Sequence, residues 1–104
     1  MTKDQTGHEW IKKKGRTITV GLKKAIKEAI GEIVFLELPQ VGRTYKKGEQ
    51  ILVLEGAKAA FDLYAPLTGK VSAVNRRLLK QVRLLNQDPE KSGWLYRMEL
   101  KKEN

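Results

Sequence analysis

From Ile51 to Phe61 the chain reads Ile-Leu-Val-Leu-Glu-Gly-Ala-Lys-Ala-Ala-Phe. Two strand-like runs, Ile51–Leu54 and Phe61–Ala65, enclose a turn of small residues, so the segment predicts a β-hairpin with Lys58 at its tip. Glu55 and Lys58 are the stretch's only charges, in a chain that is 32% charged. An isolated hairpin is marginal in water, so the rest of the chain must supply a sheet and a core. The neighbours Gly56, Ala57, Ala59 and Ala60 are small and leave room for another protein to approach. Glu55 and Asp62 flank the tip and are placed to position the lysine or a partner. Lys58 is one of 15 lysines, and on composition alone it reads as an ordinary surface charge. Its place on a stiff apolar hairpin makes it a candidate attachment point for a swinging arm.

Other short strands follow from the same pattern. Trp10–Lys13 and Thr17–Val20 flank Lys14-Gly15, a hairpin turn. Ile33–Leu38 is a strand stopped by Pro39, and Val41–Lys47 is a looser connector. Lys70–Val74 follows a turn bracketed by Pro66 and Gly69, and Trp94–Leu100 is the last strand. Helical spacing of Leu22, Ala25, Ile26, Ala29 and Ile30 predicts a helix over Leu22–Ile30, with Gly31 as its stop. Asn75 is placed to cap a second short helix with Leu78, Leu79 and Val82 inward. Short strands with turn residues between them predict a mainly β sandwich or barrel with one or two short helices.

At 104 residues the chain is expected to form one domain, with 1–6 and 101–104 as flexible tails. It has no cysteine, which excludes a disulfide frame, a thiolate metal site and a cysteine nucleophile. The polar N-terminus lacks an apolar signal core, and no apolar run approaches the roughly 20 residues of a membrane span. The expected location by default is the cytosol. Lys and Arg number 21 against 12 Asp and Glu, a net charge of +9, which suits an anionic partner. The basic clusters at Lys12–Arg16, Lys23–Lys27, Arg43–Lys47, Arg76–Arg83 and Lys101–Lys102 are scattered, and no aromatic platform is interleaved with them. That favours a solvated basic surface over a nucleic-acid site. His8 beside Glu9 has no nucleophile placed to use it and reads as packing; Trp10 and Trp94 read as core anchors. Phosphate-binding glycine loops and metal-ligand spacings are absent.

A longer pattern runs through the chain. It includes Gly7-His-Glu-Trp10, Val20-Gly21, Glu28-Ala-Ile-Gly31 and Ile33-Val-Phe-Leu-Glu-Leu-Pro39. It continues through Val41-Gly42, Lys47-Gly48-Glu49, Glu55-Gly-Ala-Lys-Ala59, Asp62, Tyr64, Pro66, Gly69-Lys-Val71 and Val74-Asn75. Leu85-Asn86, Asp88-Pro89 and Gly93-Trp94 complete it. In this order and spacing, over roughly residues 8–98, the chain resembles the H protein of the glycine cleavage system, a relative of lipoyl and biotinyl carrier domains.

The resemblance implies a lipoyl/biotinyl-like barrel-sandwich hybrid of two antiparallel sheets, a monomer, and a carrier that is itself no enzyme. It implies lipoic acid in amide linkage on Lys58, which removes the lysine charge. The implied partners are a pyridoxal-phosphate glycine decarboxylase, an aminomethyltransferase and dihydrolipoamide dehydrogenase. A lipoate ligase or octanoyl/lipoyl transferase would attach the cofactor. The arm would shuttle the methylamine group of glycine between decarboxylase and aminomethyltransferase. The family's groups for holding that cationic amine fall at Gly7, Glu9 and Asp62, where Gly7 replaces a common hydroxyl residue.

Other positions depart from the pattern. Gly56 and Ala57 stand where serine and valine are usual, and the glycine is expected to loosen the tip. Phe61 replaces a small or polar residue and is expected to add an apolar contact beside the arm. Val82 replaces a usual proline, and Glu90 a common tyrosine. Lys23 and Lys24 replace residues often threonine and aspartate, and many relatives are acidic where this chain is basic. Two other readings stay open: an H-like lipoyl donor in a relay or reduced system, and an unmodified binding module for an anionic partner. A biotin carrier is disfavoured, because Ala57 and Ala59 stand where that family has methionines.

Overall fold

The structure, a computed structural model, describes residues 8–102. Alternating burial builds the strands. In β8 (Tyr96–Leu100), Tyr96, Met98 and Leu100 point inward while Arg97 and Glu99 face solvent. In β2 (Thr17–Leu22), Ile18, Val20 and Leu22 are fully buried. These strands join β1 (Glu9–Lys14), β7 (Gly69–Val74) and the two-residue β4 (Thr44–Tyr45) in a sheet of order β1-β2-β8-β7-β4. The second sheet has the order β3-β5-β6, from Ile33–Glu37, Gln50–Gly56 and Ala60–Tyr64. All pairings are antiparallel. The inner faces of both sheets share one core, which includes Val20, Tyr96 and Met98 from the first and Leu36, Leu54 and Leu63 from the second.

Three short helices lie in the connections between strands, one more than the sequence predicts. Helix α1 (Lys24–Ile30) links β2 to β3 and stops at Gly31, whose φ of 87° suits glycine. Leu22 is the last residue of β2, not the first of the helix, because it pairs with Glu9 across the β1–β2 ladder. Ala25 and Ala29 face solvent, and Ile30 alone in α1 is fully buried. Helices α2 (Arg77–Lys80) and α3 (Arg83–Gln87) lie between β7 and β8. Asn75 caps neither. It is buried, and its amide donates to the carbonyls of Ser92 and Trp94, both at 2.9 Å. Leu78 turns inward as expected, but Leu79 is 60% exposed, since one helical turn cannot bury both.

Two further expectations change. Trp10 and Trp94 are half-buried, with Lys12 over the first ring at 5.4 Å and Arg97 over the second at 4.3 Å. Lys101, expected in a loose tail, donates its N–H to the Thr68 carbonyl at 3.0 Å.

Asn86 completes the open edge of β3. Its Oδ1 accepts the Ile33 N–H at 2.7 Å, and its Nδ2 donates to the Ile33 carbonyl at 3.2 Å. One side chain thus takes the place of a neighbouring strand. Asn86→Ala strips both partners from a buried residue, at a cost of about 1–3 kcal/mol. Urea denaturation of the variant checks this; an unchanged midpoint contradicts it.

Candidate functional site

The β5–β6 hairpin is closed by the Glu55–Ala60 pair and by the Gly56 N–H donating to Ala59 at 2.9 Å. The tip does not stand alone. The Ala57 N–H donates to the Glu32 carbonyl at 2.9 Å, and the Lys58 N–H to the Ile30 carbonyl at 2.8 Å. A helix leaves its last carbonyls without intrahelical partners, and here the hairpin tip supplies a donor to one of them.

Two glycines permit this approach. A Cβ on Gly56 would collide with Ile30 Cγ2 and stand 2.6 Å from the Ile30 carbonyl oxygen. A Cβ on Gly31 would meet Lys58 Cγ at 3.1 Å, so the root of the lysine side chain rests on the bare helix stop. Gly56 therefore tightens the tip instead of loosening it. Ile30, Gly31 and Glu32 form the seat of the tip, and the sequence reading missed this role for all three. The pairing of small Gly56 with a helix-stop glycine was the available signal.

Above this seat the Lys58 side chain is exposed and makes no ion pair or side-chain hydrogen bond with the described residues. Ala57, Ala59 and Ala60 are exposed around it. Glu55 and Asp62 are exposed on the two hairpin strands. A covalent acyl arm needs a reachable amine on a fixed base, and Lys58 fits that requirement.

Glu9 differs from a solvated strand-end carboxylate: it is only 2% exposed, in the strand that opens the first sheet. Burial, and then the Glu9 charge, hold the neighbouring Tyr96 phenol above its ordinary range. The ring of His8 meets that of Phe61 edge-on, centroids 5.1 Å apart, which is the packing role expected of the histidine. The contact draws the start of β1 against β6, so Glu9 and Asp62 each lie one residue from the same ring pair. Phe61 thus packs on His8 as well as on the core. Gly7 lies outside the described residues.

The profile of the family described as Glycine cleavage H-protein matches residues 2–104. This chain belongs to the glycine cleavage H-protein family. It is 44% identical over 103 residues to the glycine cleavage system H protein of Thermotoga maritima, covering 99% of this chain and 83% of the relative. It is 44% identical over 91 residues to that of Thermus thermophilus, covering 88% and 71%. The crystal structure of a glycine cleavage system H protein from Mycobacterium marinum superposes with a TM-score of 0.82 at 34% identity, over 90% of this chain and 79% of that one. The two antiparallel sheets are accordingly the barrel-sandwich of H proteins. H proteins are non-catalytic carriers with lipoate held covalently on a lysine, and they work with the enzymes of glycine cleavage. No helix among the described residues is long and apolar enough to cross a membrane.

The steric seat gives a direct test. Gly56→Ala forces Ile30 away from the tip and costs about 1–3 kcal/mol. Hydrogen exchange at the Lys58 amide should accelerate more than exchange at Met98 in the core. Equal protection in the variant and the parent contradicts the seat.

Proposed function

We propose that Lys58 is the lysine that carries the lipoyl group. The observation that supports this most is the division of labour within the residue: its backbone N–H is tied to Ile30, while its side chain is exposed and unpaired among the described residues. The seat fixes where the arm begins, and the small exposed alanines leave the tip open to enzymes of different shape. When bound, the lipoyl group supplies a dithiolane that accepts the glycine-derived methylamine and cycles between disulfide and dithiol. The protein lowers no chemical barrier; tethering replaces free diffusion between enzymes with a high local concentration.

The cationic cargo needs oxygen acceptors and negative charge. In this reading, Asp62 offers an exposed carboxylate and Glu9 a buried one, on strands held together by the His8–Phe61 contact. Glu55, Gly56, Ala57 and Ala59 form the surface that enzymes meet around the arm. The partners we propose are a pyridoxal-phosphate glycine decarboxylase, an aminomethyltransferase and dihydrolipoamide dehydrogenase, with a lipoate ligase or octanoyl/lipoyl transferase for attachment.

Peptide mapping of the protein purified from its own cells should find a lipoyl or octanoyl group on Lys58 and on no other lysine. Lys58→Arg should abolish that acylation while changing stability by less than about 0.5 kcal/mol, as for other surface substitutions. A fully unmodified population in lipoate-replete cells, or acylation that survives in the variant, overturns the assignment.

A further inference from the structure

The basic cluster at Arg76–Arg83 has no part in holding the arm. It lies on the α2–α3 segment, where residues 75–87 hold four cations and no carboxylate. Arg76, Arg77, Lys80 and Arg83 are all exposed, and none makes an ion pair with the described residues. Beside them runs a groove of about 550 Å³ between α2 and the β3 edge. Phe35, Val41 and Leu79, exposed by 49%, 45% and 60%, line it. Arg76 forms part of one wall and Glu37 part of the other. Arg76 is followed by Leu79 at i+3 and Lys80 at i+4, so it neighbours both; Arg76 and Leu79 line the groove, and Lys80 stands on the same turn outside its lining. Groove and arm are neighbours, because Phe35 pairs with Glu55, three residues before Lys58.

We propose that this groove docks an acidic amphipathic segment of a partner protein, with apolar side chains on Phe35, Val41 and Leu79 and carboxylates toward Arg76 in the wall and toward exposed Lys80 at its rim. The charge pattern selects this occupant. A nucleic acid would bring phosphates past Glu37 and would find one aromatic ring where a stacking surface needs several. A protein segment can set carboxylates against α2 and an ammonium or amide against Glu37. Unpaired cations around an apolar centre give such a segment both encounter rate and register. A partner held here would sit against β3, the strand paired with the β5 arm of the hairpin that carries Lys58. The groove is independent of whether Lys58 is acylated.

The test uses the full ¹⁵N-labelled chain and a designed helical peptide with a central leucine stripe, a glutamate flank and a lysine flank. Amide shifts should map to Phe35, Glu37, Val41 and Leu79, with affinity about tenfold above a scrambled peptide of equal composition. Arg76→Glu with Lys80→Glu should weaken binding about tenfold. Leu79→Ser alone should do the same through lost apolar contact. Retained amide dispersion verifies that both variants fold. Equal affinity for the scrambled peptide, or shifts elsewhere on the surface, overturns the proposal. So does a single-stranded RNA that shifts the same amides at equal or lower concentration, which would make the groove a nucleic-acid site. Concentration-dependent shifts of these amides in the free chain would instead assign the groove to a second copy and also overturn it.

Discussion

Ile30 closes helix α1, and its side chain and its carbonyl meet two different residues of the β5–β6 hairpin. The side chain is fully buried and leaves no room for a Cβ at Gly56. The carbonyl accepts the Lys58 N–H. One residue therefore joins the core, the helix end and the tip that presents the lysine. The helix reaches this point only because β2 ends at Leu22 and Gly31 turns the chain into β3. Displacing Ile30 would disturb packing in the core and the position of the tip together.

The sheet edges place the same demand on backbone polar groups. A strand edge offers unpaired N–H and C=O groups and invites unwanted pairing. At β3 the Asn86 amide occupies Ile33, and the register shift between Ile33 and Phe35 breaks the regularity of the edge that follows. At β1, Lys12, Lys13 and Lys14 leave a charged, exposed end. At the irregularity in β3 Val34 and Phe35 are both exposed, 64% and 49%, and Phe35 lines the groove. Protection of an edge and exposure of an apolar surface meet here at one irregularity.

Most strands were legible because alternation over five or six residues is a strong signal, and the lysine was legible because it interrupts such a run. Thr44–Tyr45 was not, since two residues carry no period. Asn75 looked like a helix cap because capping is local, but two carbonyls some 17 and 19 residues away claimed its amide. Leu22 looked helical until its pairing with Glu9 is considered. The proposed site divides in the same way. Lys58, Glu55 and Asp62 announce themselves by side chain. The seat depends on the carbonyls of Ile30 and Glu32, a group every residue carries, so composition cannot mark them. Glu9 has a charged side chain, yet its burial is a property of the packed sheet and not of its neighbours in sequence.

A tethered arm gains local concentration only if its accessible sphere overlaps the partner's site, and that overlap shrinks as the anchor wanders. A free four-residue turn would spread the origin of the arm over several ångströms. Here the Gly56–Ala59, Ala57–Glu32 and Lys58–Ile30 bonds leave the lysine side chain as the first mobile unit. The exchange is asymmetric. With the arm on Lys58 as proposed, loosening the seat would degrade delivery to every enzyme at once, whereas changing a surface charge on α2 would affect only a partner docking as inferred above. On this argument, a basic chain such as this one alters whom the arm meets before it alters how the arm is held.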